Sequence, residues 1–120
     1  MLLLAAFAAV LMLVGPAPAV EAAPAAVPNH VFAVLRDYFP SGDVSIKQGE
    51  SLRFVDADPT AGPGHTLTET VPEGVTPKFD SDVVPPGTFK DVANVESLPP
   101  GQYSFNCKIH SGLKGMLTVG

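Results

Sequence analysis

Short stretches of alternating apolar and polar residues, cut by glycine and proline, run along this chain from Val31 to Val119. Val31-Phe-Ala-Val-Leu35 is apolar and strand-like. Val44-Ser-Ile46 alternates and meets a turn at Gly49-Glu50. Ser51-Leu-Arg-Phe-Val55 alternates again and places Leu52 and Phe54 on one face. Thr66–Thr70, Gly87–Phe89, Gln102–Cys107 and Leu113–Val119 have the same character. Thirteen prolines and eleven glycines leave little room for long helices. Short strands at this spacing predict an all-β domain of seven to eight strands, an antiparallel sandwich or barrel.

The N-terminus has a different pattern. Leu2–Val14 is almost wholly apolar, too short to span a bilayer and suited to the core of a signal peptide. Ala17-Pro18-Ala19 supplies small residues for cleavage, so residues 1–19 are expected to be a signal peptide. No Lys or Arg precedes Arg36, so the usual basic start of such a segment is missing. An alanine-rich helix that stays attached is the competing reading. Residues 20–29 are Ala/Pro-rich and read as a linker. Residues 30–120 then form one small domain, about ninety residues with room for one core. The expected location is periplasmic, cell-envelope or extracellular, with no membrane span in the mature form.

A formal net charge of −5 argues against nucleic-acid binding, which wants a basic stripe. It suits docking on a basic protein partner, and it suits simple solubility as well.

The chemistry concentrates near the C-terminus. Cys107 is the only cysteine, so it closes no internal disulfide. The alternation Tyr103, Phe105, Cys107 turns all three to one face, with the thiol at the strand end. His110 follows three residues later, within reach of the same ion. A thiolate and imidazoles form a soft metal site, and His65, in the turn Gly62-Pro-Gly-His, adds a second imidazole. The set suggests one copper ion. A closed structural zinc site would want a fourth donor. Read singly, Cys107 is a small buried hydrophobe, His110 an exposed loop histidine, and His65 a weak signal. His30 lies at the domain edge and is read as exposed.

Gly101-Gln-Tyr-Ser-Phe-Asn-Cys107-Lys-Ile-His110, followed by Lys114-Gly-Met-Leu-Thr-Val119, resembles the copper loop and last strand of plastocyanin-like cupredoxins. Phe39–Gly49 resembles their early hairpin, and Leu52–Asp58 leading to His65-Thr66 resembles the strand before their first histidine ligand. Phe79–Phe89 resembles the segment ending in their proline-glycine turn. The resemblance implies a Greek-key β-sandwich with type 1 copper and His65, Cys107 and His110 as equatorial ligands. The family usually adds an axial methionine. Here the spacing is Cys-x2-His-x5-Met, longer than usual, and Leu113 stands where the family's methionine stands. Strand alternation turns Leu113, Gly115, Leu117 and Val119 to one face and Met116 to the other. Leu113 is therefore expected to fill the axial position without coordinating, with Met116 as the alternative ligand. Loss of a weak axial thioether favours Cu(I) and raises the reduction potential.

The resemblance implies an electron carrier between redox protein partners met in transient docking, acting as a monomer. An envelope copper-binding or copper-delivery protein is the alternative. The exposed edge of His110 is the implied electron port. Gly112, Leu113 and the Gly62-Pro63-Gly64 turn are candidates for an apolar rim around it, and Asp56, Asp58, Glu69 and Glu73 for acidic steering. No enzymatic activity is expected. Three histidines with no His-x-His pair do not make a copper oxidase, and no nucleophile elbow surrounds Ser104 or Ser111.

Overall fold

The computed structural model describes Gly15 and residues 27–36, 38–39, 42–60 and 62–120. The expected leader, apart from Gly15, and residues 20–26 of the expected linker lie outside the described residues. Among the described residues, no helix is long and apolar enough to cross a membrane.

Among the described residues seven strands follow one another: β1 (His30–Val34), β2 (Asp43–Ile46), β3 (Leu52–Asp56), β4 (Thr68–Glu69), β5 (Phe89–Asp91), β6 (Gly101–Asn106) and β7 (Lys114–Val119). A 3-10 turn, Val95–Ser97, sits between β5 and β6. One sheet runs β1-β3-β5 and the other β2-β7-β6-β4. The period-2 pattern does what it predicts. Leu52, Phe54 and Asp56 point inward from β3, and Leu117 and Val119 point inward from β7. Phe32 and Phe54 from one sheet and Ile46, Phe105 and Leu117 from the other belong to one buried cluster. Four phenylalanines stack across its centre. Phe32 meets Phe105 edge-on at 5.5 Å between ring centroids, and Phe39 lies 5.1 Å from Phe32 and 5.6 Å from Phe105.

The architecture is the expected all-β sandwich, with one refinement of strand direction. β3/β5, β4/β6 and β6/β7 pair antiparallel, while β1/β3 and β2/β7 pair parallel. The chain leaves the first sheet after β1, adds β2 to the second, and re-enters the first at β3 in its original direction. Such crossings between sheets leave no trace in local alternation.

The strand expected over Thr66–Thr70 shrinks to β4. The backbone N–H groups of Thr66 and Leu67 donate to side chains, Cys107 Sγ at 3.3 Å and Ser81 Oγ at 2.8 Å, instead of to a neighbouring strand. These side-chain partners tie the residues after His65 to Cys107 and Ser81.

Gly115 fixes how β7 lies against β6. It pairs with Phe105, and a Cβ placed there would come within 2.1 Å of the Gly42 carbonyl oxygen and 2.4 Å of the Phe105 ring. Gly115→Ala is therefore expected to destabilise the fold by about 1–3 kcal/mol through overpacking. Denaturant unfolding monitored by circular dichroism checks this, and wild-type stability in the variant would count against such tight packing.

Candidate metal centre

Two segments distant in sequence build the site. The first is the turn into His65. Gly64 has φ +121°, and a Cβ there would lie 2.1 Å from the Val84 carbonyl oxygen, so only glycine fits. His65 then bridges to Val84 through a pair of backbone hydrogen bonds, its N–H donating at 3.1 Å and its carbonyl accepting at 2.8 Å. The imidazole is wholly buried. The second segment is the end of β6 and the loop after it. Phe105, locked in the aromatic cluster, fixes the strand face from which Cys107 projects. The Cys107 N–H donates to the Leu113 carbonyl at 3.1 Å and closes the loop that carries His110. Gly112, at φ 96°, allows that loop to turn back.

Thr66 ties the two segments together. Its N–H donates to Cys107 Sγ at 3.3 Å, and its hydroxyl oxygen accepts the Lys108 N–H at 2.9 Å. As a result Cys107 Sγ lies 3.8 Å from His65 Nδ1 and 3.7 Å from His110 Nδ1. The two imidazole rings approach to 4.4 Å between centroids. One potential ligand atom from each of the three residues lies within 4.8 Å of the others, and no fourth histidine, cysteine or carboxylate among the described residues joins the group. Cys107 and His65 are buried, and His110 is half-buried.

These separations suit a metal. Bonds of about 2.0 Å to nitrogen and about 2.3 Å to sulfur, opened to roughly 120°, place the donors about 3.7 Å apart. One thiolate and two neutral imidazoles are the donor set of a trigonal copper site.

The electrostatics prepare the thiol for this role. Burial pushes Cys107 up, but N–H donation from Thr66 and Ile109 and the two imidazoles outweigh it and bring the thiol down to about 6. Burial pushes His65 down, and hydrogen bonding with Asp58 and Cys107 more than reverses it, leaving the imidazole raised. Asp58 is brought down to about 2, chiefly by its hydrogen bond with His65, against burial and with help from Thr60.

No protein-family model matches the sequence, and no curated protein sequence matches it. Solved structures do match in three dimensions. An amicyanin from Paracoccus versutus (Thiobacillus versutus) superposes at TM-score 0.60 with 18% identity, over 78% of this chain and 85% of that one. A reduced Cu(I) form of an amicyanin mutant superposes at TM-score 0.59 with 14% identity, over 83% and 87%. A Cu-containing nitrite reductase from Thermus scotoductus SA-01 superposes at TM-score 0.63 with 21% identity, over 88% of this chain but 25% of that one.

This chain has the cupredoxin fold.

Within that cupredoxin sandwich the residues singled out in the sequence take clear places. His65, Cys107 and His110 converge. His30 does not join them. It is half-buried rather than exposed, and its Nε2 pairs with Glu50 Oε2 at the start of β1. Leu113 is buried directly after the His110 loop. Met116 pairs in register with Ser104, and its sulfur lies 3.9 Å from the Ser104 hydroxyl on the opposite face of β7 from Leu117.

The expected acidic rim is corrected. Asp56 and Asp58 are wholly buried, and Glu69 is nearly so, with its carboxylate accepting the Lys78 N–H at 2.6 Å. Only Glu73 of that group is exposed. Leu113, being buried, is likewise not part of an exposed apolar rim; Gly62, Pro63 and Gly112 are exposed.

Thr66 and Asp58 are the residues whose roles the sequence reading missed. Thr66 carried a visible cue, its place directly after His65. Asp58 carried only its place in an Asp-Pro-Thr turn, a pattern equally at home on a surface.

In the metal-free protein the Cys107 thiolate is expected to form with a midpoint near pH 6. The thiolate predominates above that pH and the thiol below it. Ultraviolet thiolate absorbance across a pH titration reads this directly. A midpoint near the free-cysteine value of about 8.5 would mean that the donors around the sulfur do not stabilise its charge.

Proposed function

We propose that this chain is a small electron carrier built on one type 1 copper ion. In this reading His65 and His110 would hold the ion through Nδ1 and Cys107 through Sγ as equatorial ligands. Leu113 would fill the axial position without coordinating, and Met116 stays on the other face of β7. The observation that carries the reading is the convergence of one buried thiol and two imidazole nitrogens held by backbone that the sandwich makes rigid.

Bound copper supplies a one-electron Cu(II)/Cu(I) couple. The protein's own part is to hold one arrangement of donors in both states. Gly64, the His65–Val84 bridge and the Thr66 hydrogen bonds keep His65 and Cys107 from adjusting to either state. The N–H of Thr66 spreads negative charge away from the sulfur. Leu113 offers no donor atom and keeps water from that side. His110, half-buried beside exposed Ile109 and Gly112, is the route between the site and a partner. Partners would be redox proteins met through small, short-lived interfaces. The same rigidity favours electron transfer over copper delivery, because release of the ion requires the ligands to part. Substrate turnover would need an open coordination position, and a leucine-closed trigonal set provides none, so the reading is of a carrier rather than an enzyme. The apolar run Leu2–Val14 and the Ala17-Pro18-Ala19 site support export to the periplasm, envelope or exterior, and the protein is taken to act as a monomer.

Adding Cu(II) to the purified protein should give an intense visible thiolate-to-copper charge-transfer band, and Cys107→Ser should abolish it. A colourless wild type, or a band that persists in the variant, would overturn the reading. Leu113→Met should restore an axial thioether and favour Cu(II) on the order of tenfold, lowering the reduction potential by about 59 mV. Met116→Leu should leave the potential where it is. Voltammetry of the two variants checks the assignment, and the reverse pattern would make Met116 the axial ligand.

A further inference from the structure

Behind His65, on the side away from Cys107, the structure holds a buried carboxylate that the copper ligands do not use. Asp58 is wholly buried. Its Oδ2 lies 2.9 Å from His65 Nε2. Its Oδ1 accepts both the Thr60 N–H at 2.9 Å and the Thr60 hydroxyl at 2.7 Å. Both oxygens are thus committed, and the carboxylate plane is fixed. The backbone of Asp58 is fixed too, because its N–H donates to Asp56 Oδ1 at 2.8 Å. Asp56 is itself wholly buried, and its Oδ2 has no hydrogen-bond partner among the described residues.

A carboxylate is an acceptor only, so the shared proton of this pair sits on His65 Nε2. That leaves Nδ1, which faces the Cys107 sulfur, as the nitrogen free to offer a lone pair. A carboxylate accepting the Nε2–H also makes the ring a stronger donor, and stronger donation stabilises Cu(II) more than Cu(I). Leu113 acts in the opposite sense.

We propose that Asp58 is a positioning residue of the copper site, fixing His65 as its Nε2–H tautomer and holding the reduction potential below the value that a leucine-closed site would otherwise have. The potential half of this claim rests on the type 1 copper reading, whereas the half that places a proton on His65 Nε2 stands without metal.

Two variants separate this role from a structural one. Asp58→Asn keeps the shape and removes the charge. Thr60→Val removes the hydroxyl bond to Oδ1 and leaves the carboxylate on His65. In copper-loaded protein, Asp58→Asn should weaken Cu(II) binding by about 10–100-fold while keeping the charge-transfer band. A tenfold loss for Cu(II) alone is a rise in potential of about 59 mV. Thr60→Val should lower stability with the potential unchanged. A potential unmoved by Asp58→Asn in a protein that keeps its band, or moved equally by Thr60→Val, would overturn the potential half.

The proton on His65 Nε2 is read separately in the metal-free full chain by proton–nitrogen NMR. The His65 Nε2 proton should be present and protected from exchange in the wild type, and exposed to exchange or lost in Asp58→Asn. An unprotonated Nε2 in the wild type would overturn the proposal, and that measurement needs no variant to fold. If the wild type shows no charge-transfer band, the copper reading fails on its own, and the NMR result still decides what Asp58 does to His65.

Discussion

The clamp made by Thr66 is the constraint on which the rest of the site depends. Its N–H reaches Cys107 Sγ and its hydroxyl receives the N–H of Lys108, so one residue grips the β6–β7 loop at two adjacent positions. The histidine preceding it and the cysteine it touches are thereby held at one separation. A backbone N–H given to a sulfur is one withheld from a β ladder, and β4 is short for that reason. These side-chain partners stand where His65, Cys107 and His110 meet. Two further devices make the site rigid. Gly64 lets its chain approach Val84 closer than any side chain would permit, and the phenylalanine cluster anchors β6 two residues before the thiol.

Much of this was legible in the sequence because strand alternation is a local property. Tyr103, Phe105 and Cys107 turn inward as the pattern requires, and Met116 falls on the face of β7 opposite Leu117. The meeting of His65 with Cys107 and His110 followed from residue chemistry together with the family resemblance, and alternation alone would not have brought them together. Strand direction was beyond reach. The parallel pairs β1/β3 and β2/β7 arise from the order in which the chain visits two sheets, and no window of a few residues encodes that order.

The acidic residues show the same limit in another form. A carboxylate on a short polar turn is usually solvated, and Asp56, Asp58, Glu69 and Glu73 look alike on that criterion. Asp58 is instead buried because His65 and Thr60 replace its water, and Glu69 because the Lys78 backbone does. Burial of a charge is tolerable only when such partners exist, and the partners of Asp58 are set by the fold around it. Sequence shows that a carboxylate is present; only the packed structure shows what it faces.

That distinction decides how the site balances. A trigonal set closed by leucine leans toward Cu(I), while a carboxylate on the far nitrogen of a ligand histidine leans toward Cu(II). In the proposed site Leu113 would act from the side it closes and Asp58 from behind the His65 ring, so the two would act by independent routes and can be varied separately. Asp56 adds a further consequence. Its Oδ1 orients Asp58 and its Oδ2 has no partner among the described residues in a fully buried position, an arrangement that costs stability. A core residue chosen for packing alone would be apolar here. A buried Asp58 held by Asp56 behind His65 fits the proposed role, in which the carboxylate facing the ring matters more than the stability the arrangement costs.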